Sequence, residues 1–396
     1  MKFDVVFSGG GLVGATAALA LLKEGLRVAI IDPLDLREAK NPLSDGRTTA
    51  ITLGSSQFLD KLGVWGYCKD YAQPIDYIKI FEQAPLPYTP WVVNFDAKEV
   101  GELPMGYIVE NAYIRQGLYE QISHYPNCTW IASKITKETL SPSFYELELE
   151  NGQLLKTSLL IGAEGRKSLL RERQHITTRE IDYEQTGVVL HVHHEKPHQN
   201  TAFEVFLPSG PLAFLPLLKK GHEKGHTSGI VWSLKKGFYE KVQNASAQEI
   251  ANLMEKEFPY LGKLQAISDL WKFPLATMFV KSYIKDRFIL LGDSAHAIHP
   301  VAGQGVNLGW LDAIDLQQVI ASAFKAGIDV GNYQVLKSYG RKRRLDTVIR
   351  SVINHSTVRM FGSGFPPLYW ARQAGLAAVE HLPVVKKFLM KRAMGI

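Results

Sequence analysis

Cysteine is scarce. The 396 residues hold two, Cys68 and Cys128, far apart and in no C-x-x-C pair. That excludes a disulfide scaffold and a cysteine-based zinc site, and points to a reducing compartment. Long apolar runs are missing too. The longest uninterrupted stretches, such as 17–22, fall far short of the ~20 residues that a bilayer span requires. No signal peptide precedes the first strand, which starts almost at Met1. The chain therefore reads as cytoplasmic, either soluble or peripheral to a membrane. There is no internal repeat and no linker long enough to separate independent domains. With 46% hydrophobic and 21% charged residues, disorder is excluded as the main state. The length allows two or three domains of roughly 100–200 residues each.

Charge is unevenly placed. The net charge is +6, but 341–396 carries eleven Lys and Arg against two acids, a net +9, leaving −3 for 1–340. A slightly acidic body ends in a strongly basic tail.

Periodicity supplies the elements. Residues 3–7 (FDVVF) predict a buried strand, 15–22 a deeply packed helix stopped near Gly25, and 27–32 (RVAIID) a second strand. This is one β-α-β unit of a parallel sheet. Strands and turns follow over 74–104, a helix over 112–124, strands over 128–161 and again over 186–235, and a short helix over 247–258. A buried strand (287–291), a Gly-rich loop and a long helix (306–323) come next, then tail helices broken at Pro366, Pro367 and Pro383. Nucleotide-type units and β inserts alternate along the chain.

The first motif is Gly9-x-Gly11-x-x-Gly14, between strand and helix. The first glycine permits a tight turn, the second lets backbone approach a pyrophosphate, and the third lets helix and strand pack closely. The helix N-terminus favours the phosphate charge. Asp32 ends the second strand, where a carboxylate accepts hydrogen bonds from a ribose and repels a 2′-phosphate. This predicts an adenine dinucleotide without distinguishing NAD from FAD. The second motif distinguishes them. In 287–309 (RFILLGDSAHAIHPVAGQGVNLG) a strand ends at Gly292-Asp293, and a loop with Gly303, Gln304 and Gly305 opens a helix. A fixed carboxylate suits a polyol hydroxyl, and FAD has a ribitol where NAD has none. Backbone N–H groups at a helix start suit the negative charge that a reduced isoalloxazine develops.

This segment resembles the second FAD-contact motif of the class A, aromatic hydroxylase type of FAD-dependent monooxygenases. The string HPVAGQGVNLG (299–309) resembles the subgroup that hydroxylates ubiquinone precursors. Asp45-Gly46-Arg47 with the following TTAITLGS, LIGAEGRKSLLR (160–171), GPLAFLPL (210–217), Phe273-Pro274-Leu275 and the C-terminal LPVVKKFLMKRAMGI agree with it, from residue 3 to the end. One departure is Glu164, where the family's middle motif has Asp; the charge reaches one methylene further.

The resemblance implies an α/β fold with a Rossmann-type FAD-binding domain (1–73, 105–180 and 276–340) interleaved with a β-sheet substrate domain (74–104 and 181–275), then a basic C-terminal helical region (341–396). It implies a flavoprotein reduced by transiently bound NADPH or NADH, consistent with a single G-x-G-x-x-G opening a helix. The resemblance further implies that the reduced flavin would take up O2 as a C4a-hydroperoxide and hydroxylate a prenylated phenol in ubiquinone biosynthesis. Carried over by position, Gly9, Gly11, Gly14, Asp32, Arg47, Arg115 and Asp293 contact the cofactor, and Pro300, Gly303, Gln304, Gly305, Val306 and Asn307 line the flavin. Alternatives on the same fold are a flavin-dependent reductase, another aromatic hydroxylase, or a non-catalytic FAD-binding scaffold of the quinone pathway. There is no W-x-W-x-I-P halogenase signature.

No convincing protein acid or base emerges. His296 and Pro300 lie near the flavin loop, but His296 and His299 read as loop packing, and no metal site is expected there. Nor is one expected at His191, His193, His194 and His198, where no carboxylate or cysteine pattern completes a ligand set. Trp232, Phe214 and Phe206 read as core or as a substrate cavity. In the tail, Val385, Phe388 and Leu389 form an apolar stripe with Lys386, Lys387 and Lys391 on other faces. That helix reads as packed with a solvated basic face, or as docked on the inner face of a membrane or on a quinone-biosynthesis complex. Nucleic acid is disfavoured, because no nucleic-acid motif accompanies the charge.

Overall fold

The computed structural model describes residues 1–35, 46–82, 91–299, 305–344, 347 and 380–396. Its first layer is a sheet with a parallel core. The strand Lys2–Ser8 lies between Leu154–Gly162 on one side and Val28–Asp32 on the other, both parallel to it. Cys128–Ala132 extends the sheet beyond Val28–Asp32, and Phe288–Leu290 extends it beyond Leu154–Gly162, again in parallel. Parallel strands are covered on both faces, which is why these segments read as continuous apolar runs. The helix Leu12–Leu22 is buried from Gly14 through Leu22. It starts three residues earlier than its apolar run predicts, so Gly14 lies inside its first turn.

The second layer is a larger, mostly antiparallel sheet. It contains Thr178–His194, Thr201–Leu207, Gly210–Pro216, Thr227–Lys235 and Trp271–Val280, with Tyr77–Glu82 and Trp91–Asp96 added at one edge. The helix Ala247–Glu257 covers its outer face. There Ile250 and Met254 pack with Val188, Leu190, Phe203, Val205, Phe214 and Trp232. The opposite, inner face looks toward a small sheet of Thr48–Thr52, Gly106–Glu110 and Gln73–Ile75. Ala202 on that face shares a core with Ile108, Leu53 and the C-terminal helix. The boundaries drawn at 180/181 and 275/276 fall inside two long paired strands, Thr178–His194 and Trp271–Val280.

The C-terminal helix, Pro383–Met394, starts at the proline expected to break the tail; Pro366 and Pro367 lie outside the described residues. It docks through Lys386, Met390 and Met394, one residue per turn, all buried. A Cβ on Gly54 would lie 2.3 Å from Gly395 O, so only glycine lets the backbones meet there. Lys386 corrects the expectation of a solvated lysine. Its ammonium pairs with Glu99 at 2.9 Å and sits 5.6 Å from the Phe95 ring centroid, while its stem fills the interface. The stripe Val385, Phe388 and Leu389 faces outward, together with Val384.

Candidate functional site

Three motif segments are adjacent strands of the parallel sheet. Ser8 pairs with Gly162, and Gly162 with Leu290, so Gly9, Ala163 and Leu291 leave the sheet at one carboxyl edge. Asp32 ends the next strand over. In open α/β sheets this edge is where ligands bind.

The glycines differ in what they allow. Gly9 has φ +104, and a Cβ there would lie 2.4 Å from Ala163 O. A Cβ on Gly14 would lie 2.2 Å from Gly9 O, so this glycine lets helix meet strand. A Cβ on Gly11 would meet nothing within 4 Å. Gly11 caps the helix without a side chain, leaving first-turn N–H groups directed at open space.

Asp32 is held by the same turn. Its Oδ2 accepts from the Gly10 N–H at 2.7 Å and its Oδ1 from the Leu34 N–H at 2.9 Å. Each oxygen keeps a lone pair for a hydroxyl. Two aromatics brace this turn, and neither was anticipated. Trp130 presses on Gly10 and donates to Leu34 O at 2.9 Å, while Tyr119 donates to Gly10 O at 2.9 Å. Burial pushes the Tyr119 phenol up to about 12, with Asp32 adding to the rise and Arg115 opposing it. Arg115 therefore acts electrostatically at the same turn, from the helix Asn111–Ser123.

Glu164 is turned inward. Oε1 accepts from Ser8 Oγ at 2.7 Å; Oε2 accepts from Ser168 Oγ at 2.7 Å and from the Leu170 N–H at 2.9 Å. The extra methylene thus ties the first strand to the start of the helix Leu169–Arg173. Arg171, buried beside it, donates to Ser294 O at 3.1 Å and joins this motif to the Gly292–Ser294 turn.

Asp293 in that turn is solvent-accessible. Desolvation raises its carboxyl above the usual range, against the pull of His296, Arg166 and Arg47. Arg47 reaches the site from an exposed position, its carbonyl fixed by the Asn111 N–H at 3.0 Å. Behind Asp293 lies a buried network. Asp312 accepts from the Gly292 N–H at 2.9 Å and Arg343 Nε at 2.5 Å, and His296 Nε2 lies 2.6 Å from its carboxylate. Arg343 also reaches Asp315 at 3.0 Å. Burial alone would raise the Asp312 carboxyl, but His296 and Arg343 hold it below its ordinary range. A signal for this network was present: two acids, Asp312 and Asp315, inside the apolar stretch 308–316 of the helix.

Gly305 and Val306 begin the helix Gly305–Lys325 and are half-buried. Asn307 grips the Thr48–Thr52 strand, donating to Ala50 O at 2.6 Å and accepting from the Thr52 N–H at 3.1 Å. Pro300, Gly303 and Gln304 lie outside the described residues, as does Asp45.

His193, His194 and His198 lie in ring contact with one another or with His226, yet the hydrogen bonds of the histidines go to separate partners. His299 pairs with Gln185 at 2.7 Å, and burial lowers it to about 4. His191 Nε2 meets Gly46 O at 2.9 Å, and His194 meets Lys196 O at 2.7 Å. Among the described residues no group of three His, Cys, Asp or Glu is arranged to hold a metal. Phe214 and Trp232 belong to the outer-face core, whereas Phe206 alternates onto the inner face.

Comparison with known proteins agrees with this geometry. The family model described as FAD binding domain matches residues 2–354. Ubiquinone hydroxylase UbiL of Rhodospirillum rubrum is 33% identical over 394 residues, covering 99% of this chain and 89% of the relative. The 3-demethoxyubiquinol 3-hydroxylase of Escherichia coli is 31% identical, covering 99% of this chain and 98% of the relative. In fold, the chain is similar to p-nitrophenol 4-monooxygenase PnpA from Pseudomonas putida DLL-E4, with a TM-score of 0.79 at 18% identity over 99% of this chain and 98% of that one.

Proposed function

This chain belongs to the FAD binding domain family, in its ubiquinone-hydroxylase subgroup, and on that footing we propose that it hydroxylates the ring of a polyprenylated phenol, using FAD, O2 and NADH or NADPH. The observation that carries the reading is the convergence of Gly9–Gly14, Asp32, the Ala163–Arg171 segment and Asp293 at one sheet edge, beside the inner face of a second sheet.

The residues present fit the cofactor. Asp32 keeps lone pairs for the adenosine ribose. The uncapped turn after Gly11 offers N–H groups and a positive dipole end to the pyrophosphate. Asp293, accessible at the end of its strand, accepts from ribityl hydroxyls, and Arg47 and Arg115 add positive charge. Gly305 and Val306, with Pro300, Gly303 and Gln304, are assigned to the ring, where helix N–H groups stabilise negative charge. Asn307 fixes the Thr48–Thr52 strand beside them. When bound, the flavin supplies the redox chemistry between nicotinamide, O2 and the phenol. The chain's own part is to bind, orient and exclude water. We assign 74–104 and 181–275 to the phenol side and the rest of 1–340 to the cofactor.

We further assign the C-terminal helix to an anionic membrane surface, where a substrate with an isoprenoid tail resides. Exposed Val384, Val385, Phe388 and Leu389 lie beside exposed Lys387, Lys391 and Arg392. No described helix is long and apolar enough to cross a membrane.

The test is direct. The purified protein should carry a flavin spectrum, and substrate-dependent NAD(P)H consumption should require O2 and place labelled oxygen in the ring. Equal turnover without O2 would identify a reductase instead. Loss of function in cells should accumulate an intermediate lacking one ring hydroxyl, whose position names the carbon.

A further inference from the structure

The strand Thr201–Leu207 alternates between two environments. Phe203, Val205 and Leu207 pack into the outer-face core beneath the helix Ala247–Glu257. Ala202 points the other way, into the core shared by Ala50, Ile108 and the C-terminal helix. Ala50 is the residue whose carbonyl Asn307 grips, so this core adjoins the start of the helix assigned to the flavin. Glu204, two residues after Ala202, lies on the same inner face.

Its surroundings there are apolar. Glu204 is paired with Ala213 on one side and Ile80 on the other. The row continues through Val231 and Val189 to Trp271, which packs against Gly46. Glu204 is the only charged residue in that row. It makes no hydrogen bond or ion pair with any described residue, and no charge among them acts on it. Among the described residues, the titratable groups on that face or packed over it are Glu82, on the adjacent strand beside Phe206, Lys235, on the strand of Val231, and His191, three strands away and in contact with Lys219, which pairs with Glu110. A carboxylate with no partner in a sealed interior would cost several kcal/mol. Glu204 is not sealed: it is half-buried and keeps an accessible surface. That surface lies on the face of the sheet that carries Ala202 and its core with Ala50, where a polar group of a ligand can complete it.

We propose that Glu204 is the catalytic base of this enzyme, its carboxylate accepting the phenolic proton of the bound substrate. This rests on the hydroxylase reading above. The O–H bond of the phenol breaks and an O–H bond forms on Glu204, while the electron pair stays on the phenolic oxygen and enriches the ring carbons. The step itself neither oxidises nor reduces. The proton returns to the product oxygen when the hydroxylated ring leaves. Burial lifts the Glu204 carboxyl to about 7, nearer a phenol's ~10, and a base matched to the working pH is the effective one.

The test uses the FAD-loaded full chain with 2-geranylphenol as probe, comparing wild type, Glu204→Gln and Glu204→Asp. Glu204→Gln should bind FAD normally, accept electrons from NAD(P)H normally, and lose roughly a hundredfold or more in hydroxylation. The wild-type rate should rise with pH through about 7. That limb should vanish in Glu204→Gln and return in Glu204→Asp. Binding of the probe, followed by flavin fluorescence without turnover, should tighten through the same pH range in wild type and Glu204→Asp but not in Glu204→Gln. If the probe binds in this pH-dependent way but is never hydroxylated, the hydroxylase reading fails and the Glu204 phenol site stands, without its catalytic role. Wild-type rates and an unchanged pH limb in Glu204→Gln would overturn the proposal.

Discussion

Replacing Asp312 by Asn tests how the flavin-side loop is held. The carboxylate is fully buried and serves three partners: the Gly292 N–H, His296 and Arg343. Asn keeps the shape but removes the charge, and its amide group must point a donor at a donor. Breaking one side of a buried pair costs about 3–5 kcal/mol. Arg343 retains Asp315 at 3.0 Å, which places the expected loss near the lower end, about 3 kcal/mol. That is roughly two orders of magnitude in the folded-to-unfolded ratio, at ~1.4 kcal/mol per decade. Urea unfolding followed by tryptophan fluorescence, with free FAD held constant, measures it. The double variant Asp312→Leu with Arg343→Met should recover much of the loss, because it leaves no orphaned charge. A change below about 1 kcal/mol for Asp312→Asn, or a double variant no better than the single, would refute the reasoning.

Other consequences can be checked in parallel. Gly11→Ala should fold normally, since its Cβ meets nothing within 4 Å, yet weaken FAD binding tenfold or more. Gly14→Ala should instead destabilise by about 1–3 kcal/mol. Burial lowers His194, His198 and His299 from 6.5 to about 4. Groups with a lowered folded value stabilise fully above their unfolded value and lose that contribution as pH falls through the folded one. Stability measured by urea titration should therefore fall between about pH 6.5 and 4, less steeply in His299→Gln. Phe388→Ser with Leu389→Ser should reduce binding to anionic liposomes and leave FAD affinity unchanged. That binding should weaken with salt, since charges are screened over ~8 Å at physiological ionic strength. Met390→Ala should lower stability instead, by about 2–5 kcal/mol.

The nucleotide-type elements were legible because their signals are local. Gly9, Gly11, Gly14 and Asp32 lie within one β-α-β unit, and its apolar runs set the element boundaries to within a few residues. What the sequence concealed depends on distant partners. Glu164 reads as a displaced cofactor contact until Ser8 and Leu170 are seen around it. The tail stripe reads as a buried face because Val385, Phe388 and Leu389 are more apolar than Lys386. The docked face is nevertheless the one with Lys386, since Glu99 satisfies its ammonium and Met390 and Met394 supply the apolar contact. Glu204 carries a local clue, a carboxylate inside TAFEVFL, but only strand pairing reveals that its neighbours across the sheet are apolar.

The parallel sheet also fixes when the site can exist during synthesis. Ser8 meets Glu164 across 156 residues, and Thr16 meets Trp310 across 294. Closing such long loops before any contact rewards it makes folding slow. Before Leu154–Gly162 appears an emerging chain has its first β-α-β unit, the small sheet of Thr48–Thr52, Gln73–Ile75 and Gly106–Glu110, and Cys128–Ala132, and it lacks the Asp293 side of the site until the last third is translated. The complete cofactor site therefore exists only after the strand Phe288–Leu290 has slotted in beside Leu154–Gly162, and until then exposed strand edges leave the chain open to aggregation.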